Sequence, residues 1–216
     1  FLLTPDLRYI NGVVGAFGII AVSSKNGNTF QITGSTSQDF TITSLFAESG
    51  ADGDEPMLYI GNDVAFGRQG RIETLSGTLS FGDVETDDVS RKISNDISTY
   101  KGWTAAFNAR TQLVYFFADG KSDLWVLHKP LLDEARRVSQ TTLASGKQPT
   151  ISPWARWRTT HAIDFRPTAV MSMFNPVDGL ETVFMGDGLG NVYRLEGSGV
   201  LGDDNEDVTV SRTSKI

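Results

Sequence analysis

The chain has 216 residues, with 26 Asp and Glu against 19 Lys and Arg, a formal net charge of −7, and no cysteine. Its length suits one large domain or two small ones, and 39% hydrophobic residues is the composition of a folded chain. These features exclude a disulfide scaffold and a thiolate zinc site, argue against tight binding to phosphate backbones, which takes clustered Lys and Arg, and leave no apolar run near the ~20 residues of a membrane-spanning helix. The chain opens on Phe1 rather than Met, and so reads as processed or as part of a longer protein.

In chain order, the longest apolar run, residues 12–22, is broken by three glycines and reads as strand and turn. Four stretches then share a layout of apolar run, glycine-containing polar turn and second apolar run. The first joins residues 17–22 to Thr29-Phe30-Gln31-Ile32 through Lys25-Asn26-Gly27-Asn28. The second passes from Leu58-Tyr59-Ile60 through Gly61-Asn62-Asp63 to Val64-Ala65-Phe66, then through Arg68-Gln69-Gly70 to residues 71–75. Between the second and third, Val89, Ile93, Ile97 and Tyr100 follow a helical period that predicts one or two short helical turns within 87–100 connecting blades, with Thr86, Asp87 and Asp88 as cap candidates.

The third stretch joins residues 112–117 to Leu124-Trp125-Val126-Leu127 through Asp119-Gly120, and a weaker helical signal follows at 131–138 behind Pro130. The fourth joins Thr182-Val183-Phe184-Met185 to residues 191–195 through Asp187-Gly188-Leu189-Gly190. The tail, 197–216, carries an acidic loop at 202–207 and a last strand-like piece, Val208-Thr209-Val210. Asn-Gly and Asp-Gly tolerate the positive φ of tight hairpins, which predicts turns at 25–28, 118–122 and 186–190.

Gly27, Gly70, Gly120 and Gly190 are spaced 43, 50 and 70 residues apart. A period of roughly 40–50 residues is that of four-stranded propeller blades. The long last interval implies a rim insertion at 129–148. The expectation is an all-β fold: antiparallel hairpins arranged as part of a β-propeller, with one or two short connecting helices, in a single domain spanning 1–216.

The residues that could carry chemistry read more simply as structure. His128 and His161, the two histidines, lack visible partners and read as rim or surface residues. The acidic run 203–207 lacks the glycine and terminal glutamate of a calcium loop, and it and 52–55 read as solvated loops. Gly186-Asp187-Gly188-Leu189-Gly190 resembles a phosphate loop only until the following residues read as strand, not helix. Ser152-Pro153-Trp154-Ala155-Arg156-Trp157-Arg158 could be a stacking platform. It reads instead as tryptophans packed on a sheet face under arginine stems, because the acidic chain offers no basic groove. A carboxylate-based hydrolase would need two of Asp164, Asp178, Glu181 and Asp187 about 5–10 Å apart. No catalytic, metal or cofactor residue is expected.

Several segments together resemble the nozzle (tail tubular) proteins of short-tailed phages. They are Phe107-Asn108-Ala109-Arg110-Thr111-Gln112-Leu113-Val114-Tyr115-Phe116-Phe117-Ala118-Asp119-Gly120, Leu124-Trp125-Val126-Leu127 and the Ser152-Pro153-Trp154-Ala155-Arg156-Trp157 piece. The hairpins at 21–32 and 62–72 and the linking segment Val89-Ser90-Arg91-Lys92-Ile93 fit the same pattern, so that the resemblance covers 21–195. It implies a propeller-containing virion subunit that rings the tail channel as a hexamer, beside adaptor and fibre proteins, and passes DNA without cutting or specifically binding it. The chain is short for a closed propeller and lacks the flanking domains of that family, so it reads as one segment. The other readings are a sugar- or host-receptor-binding β domain and, third, the hydrolase. Under the first, acidic loops at 52–55, 83–88 and 203–207 are candidates for a channel wall that repels phosphates.

Overall fold

Short β-branched and aromatic runs separated by tight turns give each strand one nearby outlet for its backbone hydrogen bonds: the strand that follows it. The protein, seen in a computed structural model, accordingly folds as consecutive antiparallel meanders and is all-β. The structure describes residues 9–16, 18–25, 27–36, 38–46, 50–53, 56–77, 84–142, 152–158, 167–174, 176, 179–195, 202–203, 206–207 and 210–211. It divides into two compact units, Phe1–Ala105 and Ala106–Ile216.

In the first unit, β1 (Ile10–Ala16), β2 (Ile19–Ser24), β3 (Thr29–Thr33) and β4 (Thr41–Phe46) form sheet I in chain order. The apolar run 12–22 is thus a hairpin, with Gly18 supplying positive φ at its turn. At the next turn Ser24 takes both ends of the loop. Its hydroxyl accepts from the Asn28 N–H at 2.9 Å and donates to the Asn28 carbonyl at 3.1 Å. Sheet II is a second meander of β5 (Met57–Tyr59), β6 (Asp63–Arg68), β7 (Arg71–Gly77) and β8 (Val84–Asp88).

The two sheets meet face to face. Val14, Ala16 and Ala21 of sheet I pack with Met57, Val64, Phe66 and Leu75 of sheet II. Gly12 makes room for this: a Cβ there would come within 2.8 Å of Met57 Cγ. Each large side chain buried in this layer contributes about 1.5–3 kcal/mol.

The 87–100 segment holds only short helical turns, as expected, and its first residues are strand. Asp87 and Asp88 belong to β8, paired with Thr74 and Glu73, and only a 3₁₀ turn (Arg91–Ile93) and α1 (Ser94–Ile97) are helical. Ser90 explains the delayed start. Its N–H and hydroxyl both donate to Asp88 Oδ1, and its hydroxyl accepts from the Ile72 N–H at 3.0 Å, holding the chain to the sheet edge. Val89, Ile93, Ile97 and Tyr100 are all buried, so the period marked a buried face.

The unit boundary falls within β9 (Trp103–Asn108). With β10 (Leu113–Ala118), β11 (Asp123–His128) and β12 (Trp154–Arg158) it forms sheet III. Between the neighbouring strands β11 and β12 stands α2 (Lys129–Thr142), which starts two residues earlier and ends four later than the 131–138 signal. Sheet IV comprises β13 (Pro167–Phe174), β14 (Glu181–Asp187) and β15 (Val192–Arg194). Gly120 and Gly190 take positive φ at the expected turns.

One face of sheet III packs on sheet IV. Ala106, Tyr115, Phe117, Leu124 and Val126 lie against Val183 and Met185, with Trp157, Val170, Tyr193 and Leu195 around them. In the tail, β16 (Gly202–Asp203) pairs with β17 (Glu206–Asp207), so part of the expected acidic loop is a small ribbon. The last strand is β18 (Val210–Ser211), which adds to β12; Val208 and Thr209 lie outside the described residues.

Candidate functional site

The aromatic and charged cluster on β10, β11 and β12 is the densest concentration of chemistry in the sequence, and the strand period decides what it can do. Residues 154 and 157 are an odd number of positions apart, so their side chains leave opposite faces of β12. Trp154 is buried beside Phe116, ring centroids 5.9 Å apart. Trp157 meets Tyr115 edge to face at 5.8 Å on the face that packs on sheet IV. The tryptophans therefore pack on two sheet faces, where the sequence reading placed them together on one.

Arg156 shares the Trp154 face. Its guanidinium lies 5.4 Å from the Trp125 ring centroid and pairs with the Asp123 carboxylate. One cation is thus shared between an aromatic face and a carboxylate, within a mostly buried layer. Trp125 Nε1 reaches no acceptor among the described residues. Trp103 belongs elsewhere: it is fully buried, donates through Nε1 to the Arg68 carbonyl at 2.7 Å, and leans on Tyr100. Trp103, Trp125 and Trp154 are buried, and Trp157 is partly buried.

The acidic loop expected at 52–55 is a buried strap where it is described. Its backbone is held from both sheets of the first unit. Gly50 N–H donates to the Gly27 carbonyl at 2.7 Å, Ala51 N–H to Ser23 Oγ at 2.6 Å and Asp52 N–H to the Gly67 carbonyl at 2.8 Å. Asn11 Nδ2 donates to the Ala51 and Gly53 carbonyls. The Asp52 carboxylate accepts from Gly102 N–H at 3.1 Å, and its carbonyl from Trp103 N–H at 2.7 Å. Asp52 is buried and satisfied, so it leaves the set of channel-wall candidates; Asp54 and Glu55 lie outside the described residues. The sequence signal missed here was Gly67, an isolated glycine within a strand, which marks a close approach.

Glu181 and Asp187 sit at opposite ends of β14, about 20 Å apart at strand rise, and form no catalytic pair. Glu181 accepts from Ser172 Oγ and Arg110 N–H. Asp187 closes the β14–β15 turn, accepting from Leu189 N–H, Asn191 N–H, Asn191 Nδ2 and Tyr193 Oη–H. These donors, Asn191 first, hold its pKa down to about 2. The Gly186–Gly190 loop is thus a hairpin with its own internal anion. Asp164, Asp178 and His161 lie outside the described residues.

His128 ends β11 and accepts the Leu131 N–H at 3.4 Å through Nδ1, at the first turn of α2. Among the described residues, no three His, Asp or Glu side chains gather as metal ligands, and no helix is long and apolar enough to cross a membrane. No family model matches the chain, and no curated protein is similar to it at a significant level.

Proposed function

We propose that the chain is a segment of a propeller-type structural protein of a phage tail, part of a ring through which DNA passes. The observation that carries this reading is the repeated up-and-down meander in chain order. Sheets I, II and III are each built from four consecutive antiparallel strands, III with β18 added at its edge, and the meanders pack face to face as I on II and III on IV. That is the manner of propeller blades.

Two further features support a scaffold over a receptor-binding domain. The tryptophans are spent on packing instead of being offered as open stacking platforms. The net charge of −7 suits a wall that DNA slides past, since like charge prevents adhesion. In this reading the partners are further copies in a hexameric ring and neighbouring adaptor and fibre proteins.

Electron microscopy of the intact virion is the test. Meanders of this order ringing the tail channel are the expected result. Density for the protein at a fibre tip, or its absence from the particle, overturns the reading.

A further inference from the structure

One pairing among the described strands departs from chain order. In sheets I, II and IV every strand lies beside its neighbour in sequence, and so do β9 to β12 of sheet III. β18 crosses over instead, laying Val210 and Ser211 antiparallel to Trp157 and Arg156 on the edge of β12 away from β11. It arrives there after sheet IV and the β16–β17 ribbon have intervened.

This is the addition of an extended segment to a sheet edge, and its energetics differ from those of the meanders. It joins two residue pairs, against five between β11 and β12. Closing the long loop from β12 to β18 also costs more chain entropy than closing a hairpin. β18 is therefore held weakly and opens at low cost in free energy. The edge it leaves is rigid. All five residues of β12 pair with β11, and Trp154 and Trp157 anchor the strand on Phe116 and Tyr115. An edge fixed in this way binds an incoming strand without first having to order itself.

The chemistry of the occupant is written in the two strands. Main-chain pairing supplies affinity for any extended segment, and side chains and flanks supply selectivity. β12 carries two arginines and no acid. The docking segment has an acidic run at 203–207 followed by Val208-Thr209-Val210, a β-branched stretch suited to a strand. Opposite charge on the two partners favours such a segment over a basic one.

We propose that the β12 edge is a strand-accepting site with an exchangeable occupant, the tail segment 202–211 of a second copy taking the place of the chain's own. A second copy presents the same residues in the same register, so exchange between copies requires no contact that the fold does not already make. The inference does not rest on the tail-ring reading, since exchange of one strand joins copies whether or not they close a ring.

The probe is a fluorescein-labelled peptide of residues 202–216, titrated with the 216-residue chain and followed by anisotropy. The chain's own tail competes at an effective concentration of about a millimolar. A chain carrying Val210→Pro and Ser211→Pro therefore serves as the second acceptor. N–H directions alternate along a strand, so one of these two prolines removes a donor that faces β12. The peptide is expected to bind the double-proline chain saturably, at least about tenfold more tightly than the unaltered chain, whose own tail holds the edge. Unlabelled peptide should displace it, and a peptide with the same two prolines should not bind. Absence of saturable binding to the double-proline chain overturns the proposal. Equal binding by the proline peptide does so too, because it would reduce the contact to charge attraction. Circular dichroism verifies that the acceptor is folded; Val210→Gly with Ser211→Gly is the alternative acceptor should the prolines unfold it.

Discussion

Trp103 occupies the space directly over Gly67, so that any side chain on residue 67 would run into the indole and its Cβ. The same ring is tethered by its Nε1–H to the carbonyl of the next residue, Arg68, at 2.7 Å. Glycine and tryptophan here form one packing unit, and neither can be replaced independently.

Gly67→Ala is therefore expected to destabilise the protein by about 1–3 kcal/mol through overpacking. Trp103→Ala should cost about 3–5 kcal/mol through the lost burial. The double variant should cost clearly less than the sum, because the alanine at 67 then meets a cavity instead of a ring. Urea unfolding of the three variants measures the difference; strict additivity would refute the coupling.

The two tryptophans of β12 should behave in the opposite way. Trp154→Ala, at a buried position beside Phe116, is expected to cost about 3–5 kcal/mol. Trp157→Ala removes a half-buried ring from the other face and should cost less. With the sheet between them, their effects should add to within about 0.5 kcal/mol. Strong coupling in denaturant melts would mean that the rings share one packing layer after all.

The β14–β15 turn should be sensitive to acid. The Asp187 pKa is lowered from 3.8 to about 2, chiefly by the Asn191 side chain, so the folded hairpin favours the carboxylate. A depressed pKa contributes stability above the ordinary value and loses it as pH falls through the folded one. The protection factors of the Leu189 and Asn191 amides, exchange measured against the intrinsic rate at each pH, are thus expected to hold from neutral pH down to about 4 and to fall between about 4 and 2. Asp187→Asn should abolish that pH dependence. Asp39 shares the behaviour in the 35–39 turn, where Thr36 and Ser35 donate to its carboxylate and hold its pKa near 2.

A structural tail subunit should leave DNA unbound. Titration of duplex DNA at low salt is expected to show weak association without a steep salt dependence, because tight binding requires released counterions from several neutralised phosphates. Tight, strongly salt-dependent binding would reveal a basic lining and remove the sliding-channel reading. The strap residue gives a contrasting expectation. Asp52→Ala should leave DNA behaviour unaltered and lower stability by about 1.5–3 kcal/mol, since its carboxylate holds the Gly102 N–H within the first unit.

Local chemistry alone determined where this chain turns and that it is all-β. Asp119-Gly120 and the Asp187–Gly190 segment demand tight turns whatever surrounds them, and runs such as 113–118 are too β-branched and aromatic for anything but strand. The period of Val89, Ile93, Ile97 and Tyr100 likewise gave the buried face of the 87–100 segment, while the Ser90–Asp88 hydrogen bonds, a choice between competing local partners, decided where helix began. The faces of Trp154 and Trp157 were legible from strand parity, but which ring met which neighbour depended on the register of β10, β11 and β12. Burial of Asp52 was not legible at all. A short Asp-Gly-Asp-Glu stretch has the composition of a solvated loop, and only donors distant in sequence, from Gly102 and Trp103, make its burial favourable.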